Sequence, residues 1–369
     1  MSLNFRFAVI SDPHIALPQT IWHHPSRFHL VEISIPAIEQ VLLHLEQCQL
    51  DFLLIPGDLT QHGEPENHAW LVNRLAQLPF PVYVVPGNHD IIERSPTDRS
   101  IGFTDFPAYY QKFGYTDPSQ IYYSHEILPG VRLIGLNSNS FDADGQQLPT
   151  GYLDDEQLVW LTTTLATTQN ELVLVMIHHN VIEHLPHQSR HPMGRRYMLD
   201  NASVLLRLLK AANVPLIFTG HLHVQDIASW QGIYEITTGS LVSYPHPYRI
   251  LQFHENECGR RWLQIESGRV TSVEPFVDLQ HTSREWMGDH SLPFMTKLLN
   301  QSPLTLSSSE AETFAPLLRY FWADIANGDG VFDFPQLPPT LRNYLNRFSA
   351  LDADGNLTLI DNQVSLLFN

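Results

Sequence analysis

Val82-Tyr83-Val84-Val85-Pro86-Gly87-Asn88-His89-Asp90 decides how this chain is read. Its β-branched and aromatic start has the composition of a strand inside a sheet. Pro86 presets φ for the first central position of a turn, and Gly87 is expected to take the positive φ that a type II turn needs next. The chain then stops abruptly, with Asn88, His89 and Asp90 at the strand's carboxyl end. Open α/β sheets hold their ligands there. Phe52-Leu53-Leu54-Ile55 followed by Pro56-Gly57-Asp58 repeats the arrangement, so two strands aim polar groups at one place.

Composition narrows the choices. The chain has 369 residues, enough for a large domain and a smaller one, with a formal net charge of −18 and 20 histidines. A surface this acidic repels phosphate backbones, which argues against duplex nucleic acid as a partner. Cys48 and Cys258 sit in no metal or redox spacing, as in a reduced cytoplasmic protein. Phe5 to Ile10 already reads as the first strand, with no leader before it. No apolar run reaches membrane-spanning length, so no membrane partner is expected.

Working outward, strand one ends at Ser11-Asp12-Pro13-His14. Ile38, Val41, Leu42 and Leu45 recur at helical spacing after Pro36, and Glu64-Pro65 opens a second helix. Ser95 to Tyr123 has no clean period and reads as an irregular excursion over the strand ends. Val131 to Leu136 is a strand ending at Asn137, followed by a helix capped by Asp154 or Asp155. Leu172 to Ile177 runs into His178-His179. Asp200 is expected to start a helix, and Leu216 to Thr219 leads to Gly220-His221-Leu222-His223. Ile233 to Thr238, Tyr248 to His254 and Arg261 to Ile265 are close enough for antiparallel hairpins. From about residue 278 the apolar positions turn helical, which divides the chain into 1–277 and a mostly helical 278–369.

Five strand ends thus carry Asp12-x-His14, Gly57-Asp58, Gly87-Asn88-His89-Asp90, His178-His179 and Gly220-His221-x-His223. The donors are oxygen and imidazole without thiolate, a set that suits manganese, iron or zinc. If the segments are extended, Asp-x-His and His-x-His put both side chains on one side. Seven donors exceed what one tetrahedral zinc needs and fit two metals sharing a carboxylate. Singly each cluster reads as an ordinary turn or loop residue. Together, each after an apolar strand, they do not.

In this order the motifs resemble the calcineurin-like metallophosphoesterase superfamily. Ser11-Asp12-Pro13-His14-Ile15 with Gly57-Asp58-Leu59-Thr60 is similar to its class III cyclic-nucleotide phosphodiesterase and glycerophosphodiesterase branch. The resemblance covers about residues 5–265. It implies an α/β fold with a central β-sandwich flanked by helices in four layers. It also implies Asp12, His14 and His223 on one metal, Asn88, His178 and His221 on the other, and Asp58 bridging them. His89 would sit beside the scissile phosphate. Two divalent ions about 3.5–4 Å apart lower the pKa of a bridging water, and the resulting hydroxide attacks phosphorus in line.

The expected function is hydrolysis of small phosphodiesters, either cyclic nucleotides or glycerophosphodiesters. A phosphomonoesterase, a nucleotide pyrophosphatase and a non-catalytic scaffold are the alternatives. Asp90 is either a support for the ligands or a helix cap, and His179 is expected to orient substrate. Among His23, His24, His62, His184, His187, His191 and His246, one or two are expected in the pocket and the rest on the surface. Asp352-Ala353-Asp354-Gly355-Asn356 and Asn327-Gly328-Asp329-Gly330 depart from a calcium loop and read as turns. The tail is open to three roles: a lid, a homodimer contact or a partner-binding module.

Overall fold

The fold is described from a computed structural model, over residues 2–23, 27–352 and 354–368. Its first six strands are β1 (Asn4–Val9), β2 (Phe52–Ile55), β3 (Val82–Val84), β4 (Tyr123–Leu128), β5 (Val131–Gly135) and β6 (Leu172–Met176). The later six are β7 (Leu216–Thr219), β8 (Asp226–Trp230), β9 (Ile233–Thr237), β10 (Pro247–Glu255), β11 (Arg261–Arg269) and β12 (Gln363–Phe368). They make two six-stranded sheets, ordered β12-β11-β10-β1-β2-β3 and β4-β5-β6-β7-β9-β8. β1, β2 and β3 run parallel, as do β5, β6, β7 and β9.

Alternation within the apolar runs sets the layers. Leu133, Leu174, Met176, Leu216 and Phe218 face the first sheet and share a core with Phe7, Phe52 and Phe253. The rings of Phe7 and Phe218 meet edge to face at 5.5 Å. The intervening Ile134, Val173, Val175 and Ile217 face outward, against Leu161 of helix Asp155–Ala166 and Leu205 and Leu209 of helix Ala202–Ala211. Helices Ser34–Leu45 and Pro65–Leu75 add Val41 and Leu71 to the first sheet's core. Strands covered on both faces need no polar face, so their sequences are continuously apolar.

Several local expectations change. Asp154 caps its helix by accepting from Gln157 N at 2.8 Å, but Asn201, not Asp200, precedes helix Ala202–Ala211. Asp200 instead accepts from Arg195 and Thr150. β10 and β11 form the expected hairpin, whereas β9 pairs parallel with β7 and antiparallel with β8. Gly57 has φ +98°, as its turn requires, but Gly87 does not take the positive φ expected of it. What excludes a side chain at Gly87 is crowding: a Cβ there would lie 2.2 Å from Asp58 N and Oδ1.

The tail is not purely helical. β12 pairs antiparallel with β11, from Arg261↔Phe368 to Glu266↔Gln363, and covers what would be an open edge. Tail residues Met295, Leu299, Phe321 and Leu345 pack with Leu222 and Val224, which follow β7. Part of the tail's apolar surface is thereby covered within one chain, while Leu292, Leu317, Val331, Leu357 and Leu359 stay exposed. The two calcium-like segments are turns. Asp352 accepts from Asp354 N and Asn356 N, and Asp329 accepts from Asp361 N and Asn362 N beside β12; Ala353 lies outside the described residues. No helix among the described residues is long and apolar enough to cross a membrane.

Candidate metal centre

The carboxyl ends of β1, β2, β6 and β7, and the turn after β3, meet over one cleft. They bring donor atoms of Asp12, His14, Asp58 and His223 within 4.8 Å of one another, and do the same for Asp58, His178 and His221. Asp58 belongs to both groups. Asn88 joins the second, with Oδ1 3.2 Å from His178 Nε2. Asp12, His14, Asp58 and His178 are buried.

The backbone does not present these groups from extended segments. Asp12, His14, Asp58, His221 and His223 have φ of 48°, 41°, 49°, 66° and 59°. For residues other than glycine the left-handed region costs about 1–2 kcal/mol each. Strain concentrated at five neighbouring donors marks a site that the surrounding fold forces into place. Convergence comes from these tight turns, not from the alternation of a strand.

Donor spacing tests whether metals fit. His14 Nε2 and His223 Nε2 are 3.4 Å apart, and His223 Nε2 is 3.1 Å from Asp12 Oδ1. His178 Nε2 is 3.3 Å from Asp58 Oδ1. Ligands about 2.1 Å from one ion lie about 3.0 Å apart in an octahedron and about 3.4 Å in a tetrahedron. The observed separations are edges of such polyhedra. His178 Nδ1 donates to Pro56 O at 2.7 Å, which fixes the ring with Nε2 facing Asp58.

Electrostatics agree with this geometry. Burial, reinforced by neighbouring imidazoles, holds His14 and His221 well below the ordinary histidine range, so both stay neutral and able to ligate. Burial would raise Asp58, but His178 and His89 hold it well below the carboxylate range. His178 goes the other way: burial lowers it, yet Asp58 draws it up to about 9. This carboxylate is placed to hold positive charge.

Asp90 is not a helix cap. Its buried carboxylate accepts from Leu59 N (3.1 Å), Thr60 N (2.9 Å) and Gly87 N (2.8 Å), bracing the two Pro-Gly turns against each other. His89 N donates to Asp58 Oδ1 at 2.8 Å, and its Nδ1 donates to Gln61 O at 2.7 Å. That contact leaves Nε2 for a ligand.

His179 does not line the cleft. It is buried, bonds through Nδ1 to Ser138 Oγ at 2.8 Å and supports the His221 ring at 4.3 Å. Of the loop histidines, His62 lines the cleft and stacks on His89 at 5.2 Å. His23 is exposed, His187 touches Arg347, and His24 lies outside the described residues. The side chain of His184, and His246 as a whole, are buried rather than on the surface: Asp226 and Glu235 flank His184, and His246 bonds to Leu241 O. His191 is nearly buried and accepts from Met193 N.

Sequence reasoning missed His29. Its ring lies 4.6 Å from His14 and 4.7 Å from His223, and its nitrogen forms a further group with theirs, all within 4.8 Å. No strand end or fixed spacing flags it. The cleft measures about 520 Å³ and is further lined by Trp22, Arg27, Phe28, Arg196, Tyr197, Phe294 and Trp322.

Comparison with known proteins follows the same lines. A probable glycerophosphodiester phosphodiesterase of Arcobacter nitrofigilis is 26% identical over 237 residues, which is 63% of this chain and 76% of that protein. A 3′,5′-cyclic adenosine monophosphate phosphodiesterase of Haemophilus influenzae is 26% identical over 285 residues, 73% and 92% of the two chains. The fold is similar to that of a dimetal phosphatase from Danio rerio, with a TM-score of 0.52 at 17% identity, covering 72% of this chain and 96% of that one. The family profile of the calcineurin-like phosphoesterases matches residues 5–225, the span that delivers every one of the converging donors. The chain belongs to the calcineurin-like phosphoesterase family.

Proposed function

We propose that this chain is a binuclear metal-dependent phosphodiesterase acting on small diesters, of the cyclic-nucleotide or glycerophosphodiester kind. The observation that carries the reading is the convergence of two donor groups on one shared carboxylate, Asp58, beneath a cleft that also contains His89. Both relatives described above bear phosphodiesterase names.

In this reading Asp12, His14 and His223 would hold one ion, Asn88, His178 and His221 would hold the other, and Asp58 would serve both. The oxygen and imidazole set suits manganese, iron or zinc. When bound, two such ions activate water and neutralise charge on the phosphate. His89 is oriented by Gln61 O and, when protonated, can donate from Nε2 to the departing alkoxide. Asp90 keeps the turns carrying Asp58 and Asn88 in register. Residues 1–277 carry the chemistry, and 278–369 complete the cleft wall. The two unpaired cysteines suit a cytoplasmic setting.

The test is a manganese-loaded panel of bis-p-nitrophenyl phosphate, 2′,3′- and 3′,5′-cyclic nucleotides, glycerophosphodiesters and monoesters. Diesters should be hydrolysed faster than monoesters. Preference for monoesters or pyrophosphates, or no turnover with two ions bound, would overturn the reading.

A further inference from the structure

Phe294 and Trp322 lie beyond residue 225, where the family match ends, yet both line the cleft over the converging donors. Phe294 follows Pro293 inside helix Leu279–Asn300, and Trp322 belongs to the short helix Phe321–Ala326. Their rings meet at 5.2 Å, and Phe294 also meets Phe28 edge to face at 6.2 Å. Both are half-buried. Both rings pack against the tail's core, to which Leu298, Phe321 and Tyr344 belong, and share a small apolar cavity with these three.

A second ring series reaches the same cleft. Trp22 is 56% exposed and meets His62 at 5.0 Å, and His62 stacks on His89. Aromatic surface left open beside a polar centre is costly in water and is relieved by a planar apolar ligand group. A glycerol moiety offers hydroxyls and no face. A nucleobase offers a π-face, and stacking tolerates any base because each has one.

We propose that Phe294 and Trp322 form the seat for a nucleobase, making nucleoside phosphodiesters the substrate class preferred over glycerophosphodiesters. The proposal rests on the phosphodiesterase reading above and adds the part of the substrate remote from phosphorus. The tail therefore acts as a specificity element.

Calorimetric titration of the manganese-loaded full chain with 5′-AMP and with sn-glycerol 3-phosphate tests the seat without turnover. Wild type should bind AMP more tightly. Phe294→Ala and Trp322→Ala should each weaken AMP by about 5- to 150-fold, the range for loss of one stacking ring, and glycerol 3-phosphate by much less. Trp322→Phe should restore most of the AMP affinity, which a purely structural role for Trp322 would not explain. In kinetics the loss should appear in KM for 2′,3′-cyclic AMP, lowering its advantage over glycerophosphoethanolamine. Equal affinity of wild type for both ligands, or equal weakening of both by the alanine variants, overturns the seat. Hydrolysis of neither diester by a wild type that still binds AMP preferentially would instead sink the phosphodiesterase reading and leave the seat standing.

Discussion

Gly87→Ala is the smallest change that should disable the centre. The added Cβ would lie 2.2 Å from Asp58 N and from Asp58 Oδ1, and 2.8 Å from Asp58 Cγ. Ordinary contact begins near 3.4 Å. The shortfall of about 1.2 Å cannot be absorbed by a flexible side chain, because the neighbours are backbone and the carboxylate assigned to the bridge. Overpacking of this kind costs about 1–3 kcal/mol in stability. A displacement near 1 Å at a catalytic group costs about 10²-fold in rate. Urea unfolding, metal content and kcat on a diester should therefore show a modest stability loss, weakened metal binding and a rate at least about 100-fold lower. Gly259→Ala is the control. Gly259, unlike Gly87, has positive φ (+74°), but its Cβ would meet nothing within 4 Å, so only about 1–2 kcal/mol of backbone strain is expected and no change in rate. A Gly87→Ala enzyme with normal metals and rate would refute the claim that the two turns must touch at Asp58.

His89→Ala should keep both metals yet lose about 10²- to 10⁴-fold on a cyclic nucleotide, with a smaller loss on bis-p-nitrophenyl phosphate, whose leaving group needs no proton. Equal losses would reassign His89 to charge stabilisation. His184 offers a pH test: burial lowers it, but Glu235 and Asp226 hold it up to about 10, above an unfolded value of 6.5. Because the folded value is raised, its contribution is full below pH 6.5 and disappears as pH rises toward 10, a loss of about 3–5 kcal/mol. His184→Gln should flatten that part of the pH–stability curve, and an unchanged slope would remove His184 from the account. Deleting residues 363–368 should bare the β11 edge and Phe253, lower Tm and promote association in size-exclusion chromatography. A truncated chain with unchanged Tm that stays monomeric would make β12 dispensable.

The convergence of these side chains was legible because each motif follows an apolar strand, and parallel strands end on the same side of a sheet. Asp58 and His178 are far apart in sequence, yet Phe52–Ile55 and Leu172–Met176 announce both positions. Left-handed backbone at Asp12 and His223 left no trace, because neither residue is a glycine. His29 was missed since it sits in a loop whose path depends on contacts with His14 and His223. No motif marks Phe294 or Trp322 in the sequence, and only packing of the tail brings them to the cleft. β12 escaped notice for a related reason. Gln363 to Phe368 becomes a strand by pairing with β11, a partner remote in sequence. His184 and His246 read as surface residues because burial of an imidazole depends on partners that sequence does not place beside it.

Metal content of the purified protein after manganese loading, measured by mass spectrometry beside Asp58→Ala, tests the binuclear account most directly. The account predicts two ions per chain in wild type and loss at both positions in the variant, since one carboxylate serves both. One ion in wild type, or two retained by Asp58→Ala, would contradict it.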